Sequence, residues 1–379
     1  MDSVWSDEQE RPLQHLRVID LSIMLPGPYL TRLLAQYGAD VIKVENLPKG
    51  DPVRDIENSA IFEFLNQGKR SIALNLKSEA GTAIVRQLAG EADVFVENFR
   101  EGVMDKMGLG YFDLSEKNPD LIYLSLRGLS GKNSVHAGHD LNFIANSGCG
   151  EWFLESGVPN YSTQFGDIVG GTFVPALKLL FHLANPARRG MHLISHMDES
   201  FRSLYITRAF ENQKSEAEGK PYGTHQLLNG SLPHSRYYRC QDGHWVTLNA
   251  VQKKHWDAFC DVADRPAWKE RMVDPTLVSE MESLFRTAPS THWEGLAAKK
   301  ELCLFRVIPW SEHLTFSQAG SQLSTDPLSW CGFLSNPKLT EAPLLGEYTY
   351  TLLHSAGLAN REIAELLQGG IAFQNEKRH

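Results

Sequence analysis

A doubly wound α/β layer followed by a small α+β domain is the fold this sequence predicts, and three observations carry that prediction. Short runs rich in β-branched and apolar residues begin at Leu16, Asp40, Arg70, Asp93 and Leu121 and alternate with stretches of helical spacing, which is the signature of a parallel sheet with right-handed crossovers. A polar, apolar-poor stretch, Asn212 to Gly223, then interrupts the chain. Beyond it SRYYRCQDGHWVTLNA reads as a hairpin turning at Gln241-Asp242-Gly243.

The first run, LRVIDL, ends at the breaker Pro26-Gly27-Pro28, and a helical pattern follows from Tyr29 to Tyr37. After DVIKVE, RSIALNL, DVFVENF and LIYLSLRG come as strands, with helical patterns at Ser78 to Glu91 and Phe112 to Lys117 between them. Ligands of such sheets sit at the carboxyl ends of the strands, near the switch point. That puts the loops at Ser22 to Pro28, Asn75 to Ser78, Asn98 to Gly102 and Gly128 to His139 on one rim. Past the hairpin, helical patterns cover Lys253 to Ala263 and Pro275 to Arg286, and GEYTYTLLHSAGLANREIAELLQGG is an amphipathic ending whose apolar face needs the large domain. The division expected is a large domain over 1–205, a linker over 206–226, a small domain over 227–320 and a return to the large domain over 321–379.

Composition narrows the function. With 379 residues and 42% hydrophobic content the chain buries a large core. A net charge of −9, from 37 basic and 46 acidic side chains mixed along the sequence, leaves no basic tract for nucleic acid. The five cysteines are widely spaced without a CxxC pair, as in reduced cytosolic proteins. The start, MDSVWSDEQERPLQ, is neither a secretory signal nor a transit peptide, and no apolar run is long enough to span a bilayer. The expectation is a cytoplasmic protein with no membrane and no nucleic-acid partner.

Chemistry concentrates between His136 and Thr172. Gly138-His139-Asp140 opens this stretch, Gly166-Asp167 and Gly170-Gly171 close it, and the residues between are mostly small or apolar. A histidine and a carboxylate in a dry, backbone-lined space have shifted pKa values, as acid/base or nucleophilic work requires. Taken singly, Asp167 reads equally as a turn residue or helix N-cap, and His139 as a hydrogen-bonded core histidine. His192 and His196 have the i, i+4 spacing of a helical metal pair, but MHLISHM reads equally as a strand and lacks a third ligand, so no metal is expected. The glycines at 108–110 and 170–171 lack the order of a dinucleotide fingerprint, and Tyr237, Tyr238 and Trp245 read as small-domain core.

LRVIDLSIMLPGPYLTRLLAQYGADVIKVENLPKGDPVR, GKRSIALNLKSEAG, ADVFVENFREGVMDKMGLGYFDL and NPDLIYLSLRGLSG together resemble class III CoA transferases of the CaiB/BaiF type, the superfamily that also holds 2-methylacyl-CoA racemases. The resemblance covers nearly the whole chain. It implies a Rossmann-like large domain, an interlocked homodimer, and a CoA thioester as substrate, with no cofactor beyond the coenzyme A of that substrate. It places the aspartate that attacks the thioester in transferases, or moves a proton in racemases, at Asp167, and the racemases' opposing histidine at His139. Leu74, Lys77, Asn98, Phe99, Arg100 and Lys106 fall on positions that hold the nucleotide and pantetheine. The glutamate that supports the racemase histidine is Gln252 here, and an arginine after VIKVE is Asn46, for which Lys49 is the candidate substitute.

Two reactions fit this set. Inverting a carbon next to a thioester needs a base on each face, His139 and Asp167, with amides near Gly166 to Ile168 for the enolate oxygen. CoA transfer needs Asp167 as nucleophile and a pocket shielded from water, for which a loop such as Asn229-Gly230 is available. A racemase-like reaction on a 2-methylacyl-CoA is the leading reading, CoA transfer between carboxylic acids the alternative, and a non-catalytic acyl-CoA-binding homologue the third.

Overall fold

The computed structural model describes residues 11–150, 163–185, 190–220, 230–309 and 339–375, together with Leu154, Ala187 and Glu312. The chain divides into two compact units, Met1–Glu151 with Asn160–Tyr205 and Ser329–His379, and Trp152–Pro159 with Ile206–Leu328.

The first unit is built on β1 (Arg17–Asp20), β2 (Asp40–Asn46), β3 (Arg70–Leu74), β4 (Val94–Glu97), β5 (Ile122–Arg127) and β6 (Met191–His196). These six strands are parallel in the order β3-β2-β1-β4-β5-β6, and the strand Ala372–Phe373 adds antiparallel to β3. The chain winds outward one way through β1, β2 and β3 and the other way through β4, β5 and β6, so the switch point lies between β1 and β4. Both faces of β1, β4 and β5 are covered, which is why these strands read as largely apolar runs, while β2 carries the buried Lys43 and Glu45 among its valines and β6 stands at an open edge. Val18, Val41 and Val94 pack into one layer with Leu30, Leu34 and Leu179, and Ile19, Ile42 and Phe95 into the other with Ile84, Val85 and Leu88. Each such side chain contributes about 1.5–3 kcal/mol on leaving water.

The helices of the site region are α1 (Pro26–Gln36), α2 (Ala60–Leu65), α3 (Glu79–Ala89), α4 (Val103–Lys106), α5 (Tyr111–Ser115) and α6 (Asp140–Asn146). Helix α1 starts at Pro26, three residues ahead of the expected start, because proline at the first helical position costs no hydrogen bond. The tail forms two helices, Thr349–Ser355 and Asn360–Gln368, whose Leu352, Leu353 and Ile363 enter the layer of α3. Its final strand then closes the β3 edge.

The second unit carries a three-stranded antiparallel sheet, β7 (Ser235–Arg239), β8 (Trp245–Asn249) and β9 (Leu304–Arg306). Tyr238, Trp256, Phe259, Phe285 and Trp293 form its core. Two expectations are corrected here. Tyr237 and Trp245 are exposed, since adjacent strand residues point to opposite faces and Tyr238 takes the inner one. The stretch read as a linker is helical over its first half, in Ile206–Ala217, where Ile206, Ala209 and Phe210 recur at helical spacing and Glu, Lys, Gln and Ala are good helix formers. Residues 221–229 of that linker, and 321–338 of the return segment, lie outside the described residues.

Candidate active site

The loops leaving β1, β4 and β5 line a cavity of about 800 Å³ on the rim where the strands end. Beneath the β1 loop lies a buried ionic cluster. Lys69 pairs with Asp20 at 3.1 Å and Lys43 with Asp51 at 2.9 Å, all four fully buried. Burial alone would raise the Asp20 carboxyl, but Lys69 and Lys43 overcome it and hold it down to about 2, while burial pushes Lys69 down to about 8. Lys43 Nζ donates to the Ser22 carbonyl at 2.9 Å, and the Met24 amide donates to Asp51 Oδ1 at 3.1 Å. The cluster thus fixes Ser22 to Leu25 along the cavity, with Met24 at φ +67°, a left-handed conformation that a non-glycine residue keeps only when its surroundings enforce it.

Asp167 enters from the opposite wall. It is the second residue of an eight-residue π-helical segment, Gly166–Phe173, which continues into the helix Val174–Leu183. A Cβ on Gly170 would stand 2.3 Å from the Met197 carbonyl oxygen and one on Gly171 2.5 Å from Pro26 Cβ, so glycine is required for this approach. Asp167 is therefore half-buried within the first turn, neither turn residue nor N-cap. Burial, and secondly the charge of Asp140, push its carboxyl up to about 7.

His139 lines the same cavity but is exposed. Asp167 is half-buried, whereas His139 stands at the N-terminal boundary of α6 rather than within a packed element, so the dry surroundings expected for the histidine are not found. Its amide donates to Asn142 Oδ1 at 3.0 Å. The amides expected to receive an enolate oxygen are already engaged. Those of Asp167, at 3.0 Å, and Gly166 donate to the Asp140 carboxylate, and Ile168 donates to the Gln164 carbonyl at 2.8 Å. The first two amides of α6, at Asp140 and Leu141, have no partner among the described residues, as helix starts leave them.

A second cavity of about 600 Å³ lies against the start of α3. Lys77, Lys106 and Arg86 border it, and among the described residues Lys77 and Lys106 have no ion-pair partner. Glu79, which pairs with Arg86, and the start of α3 complete its wall. Phe99 lines both cavities, and Asn98 and Arg100 line the first. Leu74 touches neither. Its side chain is fully buried in the α3 layer, at the carboxyl end of β3. Asn46 lines the second cavity but spends its side chain on the Leu76 amide at 3.0 Å, and Lys49 is exposed beside Asp55 at 3.8 Å. Gln252 belongs to the second unit, exposed at the start of the helix Lys253–Val262.

Several residues escaped the sequence reading. Glu97 accepts from Arg127 at 2.7 Å, from Ser125 Oγ at 2.5 Å and from the Phe99 amide at 2.8 Å, and Ser125 Oγ lies 2.8 Å from His192 Nε2. His192 and His196 sit on strand β6, so the helical metal-pair spacing does not apply. Among the described residues no cluster of three or more metal-ligating side chains occurs. The missed group carries one sequence signal, the charged residues at the ends of the apolar runs DVFVENF and LIYLSLRG, where parallel strands present side chains to the rim. Asp140 adjoins His139 in the sequence, and its contact with the start of the segment Gly166–Phe173 follows only from the fold.

An open α/β sheet thus carries, at the ends of its strands, an apolar cavity holding a shifted carboxyl and a second cavity bordered by Lys77 and Lys106, with Phe99 lining both. The model of the family CoA-transferase family III matches residues 13–322. The chain is 28% identical over 385 residues to alpha-methylacyl-CoA racemase of Homo sapiens, covering 96% of this chain and 98% of that protein. It is 34% identical over 274 residues to succinyl-CoA:mesaconate CoA-transferase of Haloarcula marismortui, covering 67% and 68%. The crystal structure of Rv3272 from M. tuberculosis superposes with a TM-score of 0.76 at 24% identity, over 90% of this chain and 99% of that one. This protein belongs to CoA-transferase family III, a family of enzymes.

Proposed function

We propose that this enzyme binds a 2-methylacyl-CoA and moves the proton on its α-carbon, with Asp167 and His139 as the two bases. The observation that carries the reading is that Asp167 and His139 line one cavity, where burial and the charge of Asp140 push the Asp167 carboxyl up to about 7. At neutral pH such a group is populated both with and without its proton, which suits a residue that must take a proton in one direction and return it in the other. One base removes the α-proton, the electron pair moves to the thioester oxygen, and the other base delivers a proton to the opposite face. The unpartnered amides of Asp140 and Leu141 supply donors to that oxygen in place of those at Gly166 to Ile168. In this reading the ligand lays its phosphates against Lys77 and Lys106, passes Phe99, and brings its thioester to Asp167. No cofactor other than the coenzyme A of the substrate takes part.

Incubation with a 2-methylacyl-CoA in deuterated water is expected to introduce deuterium at the α-carbon, and absence of label removes this reading. His139→Ala should abolish exchange.

A second reading has its own support in the name of the Haloarcula relative. Here the Asp167 carboxylate bonds to the acyl carbon and expels CoA thiolate, and a second carboxylic acid then takes the acyl group from the anhydride. Hydroxylamine trapping at Asp167 without an acceptor acid supports this route, and an unmodified Asp167 peptide rejects it. Of the proposed shielding loop, Asn229 lies outside the described residues.

We also propose a cytoplasmic homodimer. The β6 edge of the sheet carries exposed Met191 and Ile194, and the helix Val174–Leu183 exposes Leu177, Leu180 and Phe181. Surfaces of this kind on a soluble chain mark contact with another protein. Sedimentation at micromolar concentration is expected to give twice the mass of one chain, and a monomer rejects the proposal.

A further inference from the structure

We propose that Asp140 is the positioning residue of this site: its carboxylate holds the amides of Gly166 and Asp167 and sets a second negative charge beside the acting carboxyl, so that Asp167 meets the substrate with its proton available. The inference rests on the reading of Asp167 as a proton-transferring group, and it adds a residue which that reading does not use.

The geometry gives Asp140 two separable effects. As an acceptor, its Oδ1 lies 3.0 Å from the Asp167 nitrogen, and it also receives the Gly166 amide, so it satisfies donors that the start of the π-helical segment would otherwise leave unpaired. As a charge, it is buried and stands close to a half-buried carboxyl of the same sign. Like charges in such a place cannot both ionise at the ordinary pH, and one proton is retained by the pair. Burial pushes the Asp140 carboxyl up as well, but the amides of Asp167 and Gly166 pull it back, a support that Asp167 lacks, so Asp140 is the member that ionises first and Asp167 keeps the proton.

The other charged groups on elements packed against the segment are committed elsewhere. Arg32 of α1 bonds Gln36 and Gln67. From the helix Met197–Arg202, Asp198 accepts from Ser130 and Asn146, Glu199 pairs with His196, and Arg202 donates to the Ser147 carbonyl. Lys178 donates to Ser195, His192 is bonded to Ser125, and His182 lies further along the same helix as Lys178. His136 and His139 face the cavity from the loop before α6. Of all these, Asp140 alone acts on Asp167 through its charge.

Replacing Asp140 by Asn or Ser removes the charge and keeps an oxygen acceptor. The side-chain carboxyl carbons of aspartate, followed by carbon-13 NMR with Asp167→Asn to assign the Asp167 signal, report the titration directly and need no substrate. The expected result is that Asp167 in the wild-type chain titrates well above the ordinary carboxylate range, and that Asp140→Asn and Asp140→Ser each lower it by about one pH unit or more. The acidic limb of the deuterium-exchange rate moves down with it. Asp167→Asn should leave the Asp140 titration in place, because Asp140 ionises while its neighbour is still neutral. An Asp167 that titrates in the ordinary range in the wild-type chain overturns the inference. So does an unchanged Asp167 titration in either folded variant. Loss of exchange in the wild-type chain, with the titration shift intact, would overturn the proposed reaction and leave the role of Asp140 standing.

Discussion

Asn98 and Ile23 close a ring of two hydrogen bonds across the switch point, the Asn98 side chain donating to the Ile23 carbonyl at 2.8 Å and accepting from the Ile23 amide at 2.9 Å. The Asn98 side chain thus locks the β1 loop to the β4 loop, and both loops, Asn98 included, line the first cavity. Two such bonds are worth roughly 2 kcal/mol together. Asn98→Ala should therefore raise KM for an acyl-CoA by about tenfold, with a smaller change in kcat, because the loop must be ordered on binding. Steady-state titration checks this, and an unaltered KM would show that the loop is held by the Lys43 and Asp51 cluster alone.

The stability of the chain should carry the imprint of Asp167. Its folded-state value of about 7 stands above the ordinary 3.8, so the folded chain holds a proton that the unfolded chain has released. That contribution is fully present below the ordinary value and is lost as pH rises through about 7. Three pH units correspond to an upper bound of about 4 kcal/mol, reduced by the partial exposure of the group. Asp167→Asn removes the titration, so its melting temperature should exceed the wild-type value at pH 8, with the gain shrinking toward pH 5. Thermal scans across that range decide it, and a gain independent of pH would contradict the raised carboxyl.

The second cavity predicts a phosphate-dependent loss. Lys77→Ala and Lys106→Ala each remove a cation that among the described residues has no protein partner, so nothing is left unpaired and folding should be unaffected. Each should weaken CoA binding by about five- to tenfold at low salt and less at high salt, since exposed charges are screened. A truncated pantetheine thioester, which lacks the nucleotide phosphates, should bind both variants like the wild-type chain. Equal losses for both ligands would move the phosphates elsewhere.

Most of the large unit was legible because a parallel sheet buried on both faces leaves apolar runs that local reading detects, and the breakers Pro26 and Gly38 mark its turns. The helix Ile206–Ala217 was not, since its apolar residues Ile206, Ala209 and Phe210 lie in its first turns and the polar residues from Asn212 onward read as a linker. At the site, Asp167 and His139 came from motif and resemblance, but the difference in their exposure depends on what packs around them. Asn98 and Leu74 show the same limit. A residue's position on the rim follows from the strand pattern, while the partner of its side chain follows from neighbours distant in sequence, as Ile23 is from Asn98. The pairing of Asp140 with Asp167 is of that kind, joining two ends of a stretch that sequence could only bracket.

Glu97 and Arg127 offer the sharpest check of how the two cavities are joined. Glu97 is buried, where burial pushes its carboxyl up and Arg127 works against that, and the Phe99 amide and carbonyl bind Glu97 and Arg127 at 2.8 Å each. The pair thus grips both backbone groups of the residue that lines both cavities. Removing one charge of a buried pair typically costs about 3–5 kcal/mol, because the other is stranded, whereas replacing both by apolar or neutral groups is often tolerated. Glu97→Gln should lower the melting temperature markedly, and adding Arg127→Met should restore part of it, giving a coupling measurable by a double-mutant cycle. In the double variant KM for an acyl-CoA should stay raised, since Phe99 has lost the charges that fixed its backbone. Recovery of stability and KM together would mean that Phe99 is positioned by β4 alone.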